Sequence, residues 1–102
     1  MAIGDRAGEF EARYAHDQEL RFRVETRARR ILGRWAAGKL GIDAENYAED
    51  LVQLGLAGAS ESEIHARIRR DFDAAGVSQS DHRIDRHAEQ ALAEAREEVS
   101  RA

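Results

Sequence analysis

Three glycine-centred signals punctuate a chain that contains no proline, and together these facts leave room for little except helices joined by short turns. Gly41-Ile42-Asp43, Gly58-Ala59-Ser60 and Gly76-Val77-Ser78 repeat one pattern. Glycine enters the left-handed region without a Cβ clash and so ends a helix. The apolar residue after it folds back on the finished helix, and Asp or Ser accepts hydrogen bonds from the free amides of the next one. Ser60 with Glu63, and Ser78 with Asp81, have the spacing of a capping box. Ile42 with Tyr47, and Ala59 with Ile64, stand where a hydrophobic staple places an apolar pair, whereas the third turn sets His82 there. The spacing predicts four helices over approximately 5–40, 44–57, 61–75 and 79–100, with connections so short that neighbours run antiparallel. The expected fold class is all-α, a four-helix bundle with a long first helix.

The apolar faces suit this reading. Ile84, Ala88, Ala91, Leu92, Ala95 and Val99 make one stripe at three- and four-residue steps in the fourth helix. The third aligns Ile64, Ile68, Phe72 and Ala75, and the second Tyr47, Leu51 and Leu54 with Ala48 and Val52 beside them. The first aligns Val24, Ala28, Ile31, Leu32, Trp35 and Ala36, with Trp35 read as a core anchor. Gly33 and Gly38 interrupt that helix at about 1 kcal/mol each against alanine, so close packing or a fraying end is expected there.

The core is thin. Hydrophobic residues make up 42% of the 102, but 19 are alanine, and Leu, Ile, Val and Phe together number only 20, so part of the chain is expected to lack a packed partner. A first helix over 5–40 would be roughly 54 Å long at about 1.5 Å per residue, against some 21 to 33 Å for its partners. It must bend, fray or project. Stepping back from Val24 at helical spacing meets Arg21 and Asp17 before Tyr14 and Phe10, so the stripe breaks. Residues 1–19 are accordingly read as an N-terminal arm and 20–102 as the four-helix domain. Either the arm docks on another protein, presenting Phe10 and Tyr14 at a helix-in-groove spacing, or it curls back on the bundle.

Charge is unevenly spread. The net charge of −4 divides into +3 over residues 1–41 and −7 over 42–102, and Arg21, Arg23, Arg27, Arg29, Arg30 and Arg34 concentrate the positive part. Nucleic acid could meet such a stripe through its phosphates, but no recognition motif is present and the body is acidic. A face that is solvated or paired within the chain, in part with acidic residues of the fourth helix, or a surface that docks on a protein is expected instead. His65, His82 and His87 with Asp81 and Asp85 lack the matching ligands on a facing helix that a metal site in a bundle requires, so no metal or other cofactor is expected. Gly33 to Lys39 resembles a phosphate-binding loop only in part, because Leu40 stands where a Ser or Thr would hold magnesium. Without cysteine there is no disulfide or thiol chemistry. No apolar run is long enough to span a bilayer and no signal pattern opens the chain, so a cytoplasmic location is expected.

Two longer stretches carry a family resemblance. Phe10-Glu11-Ala12-Arg13-Tyr14-Ala15-His16-Asp17-Gln18-Glu19-Leu20, then Ile31-Leu32-Gly33-Arg34-Trp35-Ala36-Ala37-Gly38-Lys39-Leu40-Gly41, resemble the DUF1476 family of alphaproteobacteria. This is the family of the ζ subunit that inhibits the F-type ATP synthase. Similarity continues through Tyr47-Ala48, Ile64, Ser80-Asp81-His82 and Ala95-Arg96-Glu97. The resemblance implies a nonenzymatic regulator, peripheral to the inner membrane through the synthase but not inserted in it. Its N-terminal segment would enter the catalytic F1 sector of alpha, beta and gamma subunits as a helix and block rotation in the hydrolysing direction. It makes Asp5 to about Leu20 the inhibitory arm, including Arg6, with Phe10 and Tyr14 as apolar anchors and Arg13, His16 and Asp17 as polar contacts. The chain departs from the family at Gly4 and Gly8, each adding about 1 kcal/mol of ordering cost on binding. The alternative is therefore a noninhibitory docking or assembly module of the same complex. Leu54 to Ala59 also departs from an acidic, proline-containing connection, which leaves the second turn's shape open.

Overall fold

The computed structural model describes the backbone of residues 2–101 and the side chains of residues 8, 9 and 11–101. Four helices make up the fold: α1 (Ala2–Leu40), α2 (Ala44–Leu56), α3 (Glu61–Ala74) and α4 (Asp81–Arg101). No strand is present among the described residues.

The three glycine signals end their helices as expected. Gly41, Gly58 and Gly76 have φ of 72°, 101° and 68°, the region that a Cβ disfavours. At the second turn the Gly58 amide donates to the Gly55 carbonyl at 3.0 Å and the Ala59 amide to that of Leu54 at 3.0 Å. Gly76 and Val77 repeat this pair onto Asp73 and Phe72. These are Schellman closures, so the unusual 54–59 composition still gives a regular turn. Asp43 caps α2 by accepting from the Asn46 amide at 2.8 Å, and Ser60 with Glu63 closes the capping box of α3.

Two local expectations are corrected. α4 begins at Asp81, and its cap is Ser80 rather than Ser78: the Arg83 amide donates to Ser80 Oγ at 3.1 Å. After its Schellman turn the chain makes a further tight step, the Gln79 amide donating to the Val77 carbonyl at 3.2 Å while Arg69 donates to the carbonyl of Gln79. That step shifts the helix start by two residues. The staple at Ile42 also fails, since Ile42 is 51% exposed while Tyr47 is buried.

α1 is the spine, packing most extensively on α2 and α4, with α3 closing the remaining side. Leu32, Ala36 and Ala37 of α1 meet Leu51 and Tyr47 of α2, Ile64, Ile68 and Phe72 of α3, and Ile84 and Ala91 of α4. The thin composition suffices because small residues bring the helices close. A Cβ added at Gly33 would lie 2.7 Å from Ala48 Cα, so α1 and α2 cross backbone to backbone there. Gly38 has nothing comparable around it. Trp35 is half-buried at the edge of the core, not an interior anchor.

The molecule measures 64 × 26 × 24 Å. A 39-residue α1 accounts for about 58 Å of that length, and α2 and α4 lie against its C-terminal half only. Of the three outcomes open to an overlong first helix, projection is the one observed.

Candidate partner-binding site

Among the described side chains, residues 8, 9 and 11–19 are all exposed, and Leu20 is the first to be half-buried. Arg13, Tyr14, His16 and Asp17 therefore lie on the projecting helix, with Tyr14 66% exposed. The side chains of Asp5, Arg6 and Phe10 lie outside the described residues. At about 100° per residue, His16, Leu20, Arg13, Asp17 and Tyr14 follow one another around roughly half of the α1 circumference. The other half carries Gly8, Glu11, Ala12, Ala15, Gln18 and Glu19, with the exposed ring of Phe22 following on that side at the helix root. These five candidate residues thus share a face, with an apolar ring at one margin and an aliphatic side chain near the other.

The root of this helix is held from three sides by arginines. Arg27 pairs with Glu98 of α4, Arg29 with Glu61 at the start of α3 at 2.8 Å, and Arg30 with Glu49 of α2 at 2.8 Å. Arg34 makes a two-pronged contact with Glu45 of α2 at 2.9 and 3.2 Å. Each pair is partly exposed, so solvent screening leaves it a small contribution to stability. Their combined effect is geometric, because consecutive turns of α1 are tied to three helices. The Arg27 hydrogen bond holds the Glu98 carboxyl below the usual carboxylate range, and Gln53 and Arg30 do the same for Glu49. Arg29 is the most enclosed and lies over Gly55, where an added Cβ would come within 2.6 Å of its Nη1.

This pairing uses most of the basic stripe, and only one partner is on the fourth helix. Arg21 and Arg23 are exposed at the start of the projecting segment. The nucleic-acid reading therefore loses most of its phosphate contacts.

Several contacts carry no advance sign in the sequence. Tyr47, expected only as an apolar face residue, donates its hydroxyl to Asp71 at 2.7 Å, and Arg67 donates to the same carboxylate oxygen at 2.8 Å. Burial, and then that bond, push the Tyr47 hydroxyl well above the usual phenol range. Trp35 stacks on His87 and meets Phe72 edge-on. His65 Nδ1 stands 3.1 Å from Asp85 Oδ1. An open groove of about 660 Å³ runs between α1 and α4, floored by Val24, Ala28, Leu32, Ala88 and Leu92. The pairing of Ala28 with Ala88 was its one sequence trace, since two small residues on facing helices leave space.

Among the described residues no three His, Asp or Glu side chains gather as a metal site, and no helix is long and apolar enough to cross a membrane. What stands out is a helix held at its base and open along its free face, an arrangement suited to contact with another macromolecule. Comparison with known proteins gives that contact a context. No curated protein and no solved structure matches the chain. A family model described as ATPase inhibitor subunit zeta matches residues 1–98. The chain belongs to the ATPase inhibitor subunit zeta family, and it is a regulatory subunit of the ATP synthase rather than an enzyme.

Proposed function

We propose that the chain inhibits ATP hydrolysis by inserting residues 1–19 as a helical arm at a catalytic interface of F1, while residues 20–102 stay outside as the body. Asp5, Arg6, Phe10, Arg13, Tyr14, His16, Asp17 and Leu20 are the arm's contact residues in this reading. The alpha, beta and gamma subunits are the surfaces it meets, and the protein works on the cytoplasmic side of the inner membrane, where it is held through the synthase. The observation that supports it is the continuity of α1: an exposed helix runs directly into a segment fixed by four ion pairs. A helix entering a groove blocks movement sterically and needs no chemistry of its own. The body, 26 × 24 Å across, is about twice as wide as a single helix of about 10–12 Å, and in this reading it sets the depth of entry.

Gly8 favours the second reading, a docking module with little inhibitory effect. Nothing lies within 4 Å of a Cβ built there, so the glycine serves no close contact inside the chain and only weakens the helix. The test compares ATP hydrolysis by F1 with the full-length chain, the chain lacking residues 1–19, and Phe10→Ala/Tyr14→Ala. Loss of inhibition on truncation with the body still bound is expected. Inhibition that survives truncation overturns the arm mechanism, and binding by the full chain without inhibition favours the docking module.

A further inference from the structure

We propose that His87 and Trp35 form an acid-sensitive latch between α4 and α1, in which protonation of His87 unseats its ring from the indole and loosens the seam between the two helices. The ring centroids are 3.9 Å apart and the planes are within 15° of parallel. Trp35 also meets Phe72 of α3 edge-on, at 5.6 Å and 74°, so the indole joins α1 to both α3 and α4. The latch therefore sits where three helices converge.

The surroundings give the proton its direction. Burial disfavours the charged imidazole, and the charges that act on the ring are all positive: Arg83 and Arg86 of its own helix and Lys39 of α1. α3 contributes Phe72, an uncharged ring, to the same contact. A charged imidazole facing an indole does gain some cation–π attraction. Partial loss of water and three nearby cations oppose it, and together they hold His87 below the ordinary histidine range.

The other histidines lack this setting. His16 and His82 are exposed, and His65 faces the carboxylate of Asp85. His87 thus places a stacked, titratable ring in the α1–α4 seam, in the half of α1 held by the body. The inference is independent of what the projecting segment binds.

The chain's single tryptophan makes the latch directly observable. In the full-length protein, Trp35 emission and the four histidine Cε1–H resonances are followed from about pH 8 to about pH 5, a range that brackets histidine titration. One histidine signal, shifted upfield by the indole ring current, is expected to titrate below the ordinary histidine value of about 6.5, and the emission change should share its midpoint. His87→Phe keeps an aromatic ring against Trp35 but binds no proton, so the emission change should be lost, while His82→Gln retains it. An emission change that persists in His87→Phe overturns the latch. So does a His87 midpoint at or above about 6.5, the ordinary histidine value, which the wild-type titration reads without any substitution.

Discussion

Gly33 and Gly38 lie five residues apart in the same helix, yet alanine should have opposite effects at the two sites. At Gly33 a methyl group would meet Ala48 Cα at 2.7 Å, and because the obstacle is backbone, α1 and α2 would have to separate. The helix-propensity gain of about 1 kcal/mol is then outweighed by overpacking, so Gly33→Ala should destabilise by about 1 to 2 kcal/mol. Gly38→Ala meets open space and should stabilise by about 0.5 to 1 kcal/mol. Urea denaturation of both variants checks the pair, and equal effects would contradict the backbone-to-backbone crossing. The sequence identified both glycines as breaks in a helical pattern but could not tell them apart, since the difference lies in a residue fifteen positions away. The same substitution at Gly8 bears on function. If the arm binds as a helix, Gly8→Ala should tighten inhibition by up to about fivefold, the equivalent of about 1 kcal/mol. A weaker inhibitor would mean that the partner approaches the backbone closely at Gly8.

The start of α4 shows where local rules succeed and where they stop. Ser78-x-x-Asp81 has the spacing of a capping box, but Ser80 holds the Arg83 amide because Arg69 fixes the preceding loop through the Gln79 carbonyl and Asp81. Ser80→Ala should cost about 1 kcal/mol and Ser78→Ala only a few tenths, measured as shifts in the thermal midpoint. The reverse order would restore the cap expected from sequence. Helix ends at Gly41, Gly58 and Gly76 were legible because left-handed backbone and the first closing hydrogen bonds depend on a few adjacent residues. The partners of Arg29, Arg30 and Tyr47 were not, since each lies on another helix at a register that only packing decides. The overlong first helix was legible as a length mismatch. The break in its apolar stripe already put the arm's boundary near Leu20, but whether that arm projects or curls back depends on packing between helices and is visible only in the exposure of residues 11–19.

At the scale of the whole molecule, acid should weaken the fold in two stages. His87 lies below its ordinary range in the folded chain, so the unfolded chain binds more protons as pH falls below about 6.5, and stability present above that value is lost down to the folded midpoint. Glu98 and Glu49 are also depressed, and the stability they supply is present above about pH 4.3 and lost as pH falls through their folded values. Melting temperature against pH should therefore decline first near histidine titration and again near carboxylate titration, with His87→Phe removing the first decline.

The elongated shape makes a separate demand on the fold. If residues 1–19 belong energetically to a partner, deleting them removes no buried side chain among those described, and the remaining helix still carries all four arginine pairs. The truncated chain should keep its unfolding free energy within about 0.5 kcal/mol of the full-length value. A loss well above 1 kcal/mol would mean instead that the segment packs against the body in solution, the curled-back arrangement that the sequence alone left open. Stability and inhibition thus respond to the same deletion in different ways. An arm built for a partner loses inhibition and spares the fold, whereas a segment serving the bundle lowers stability whether or not F1 is present.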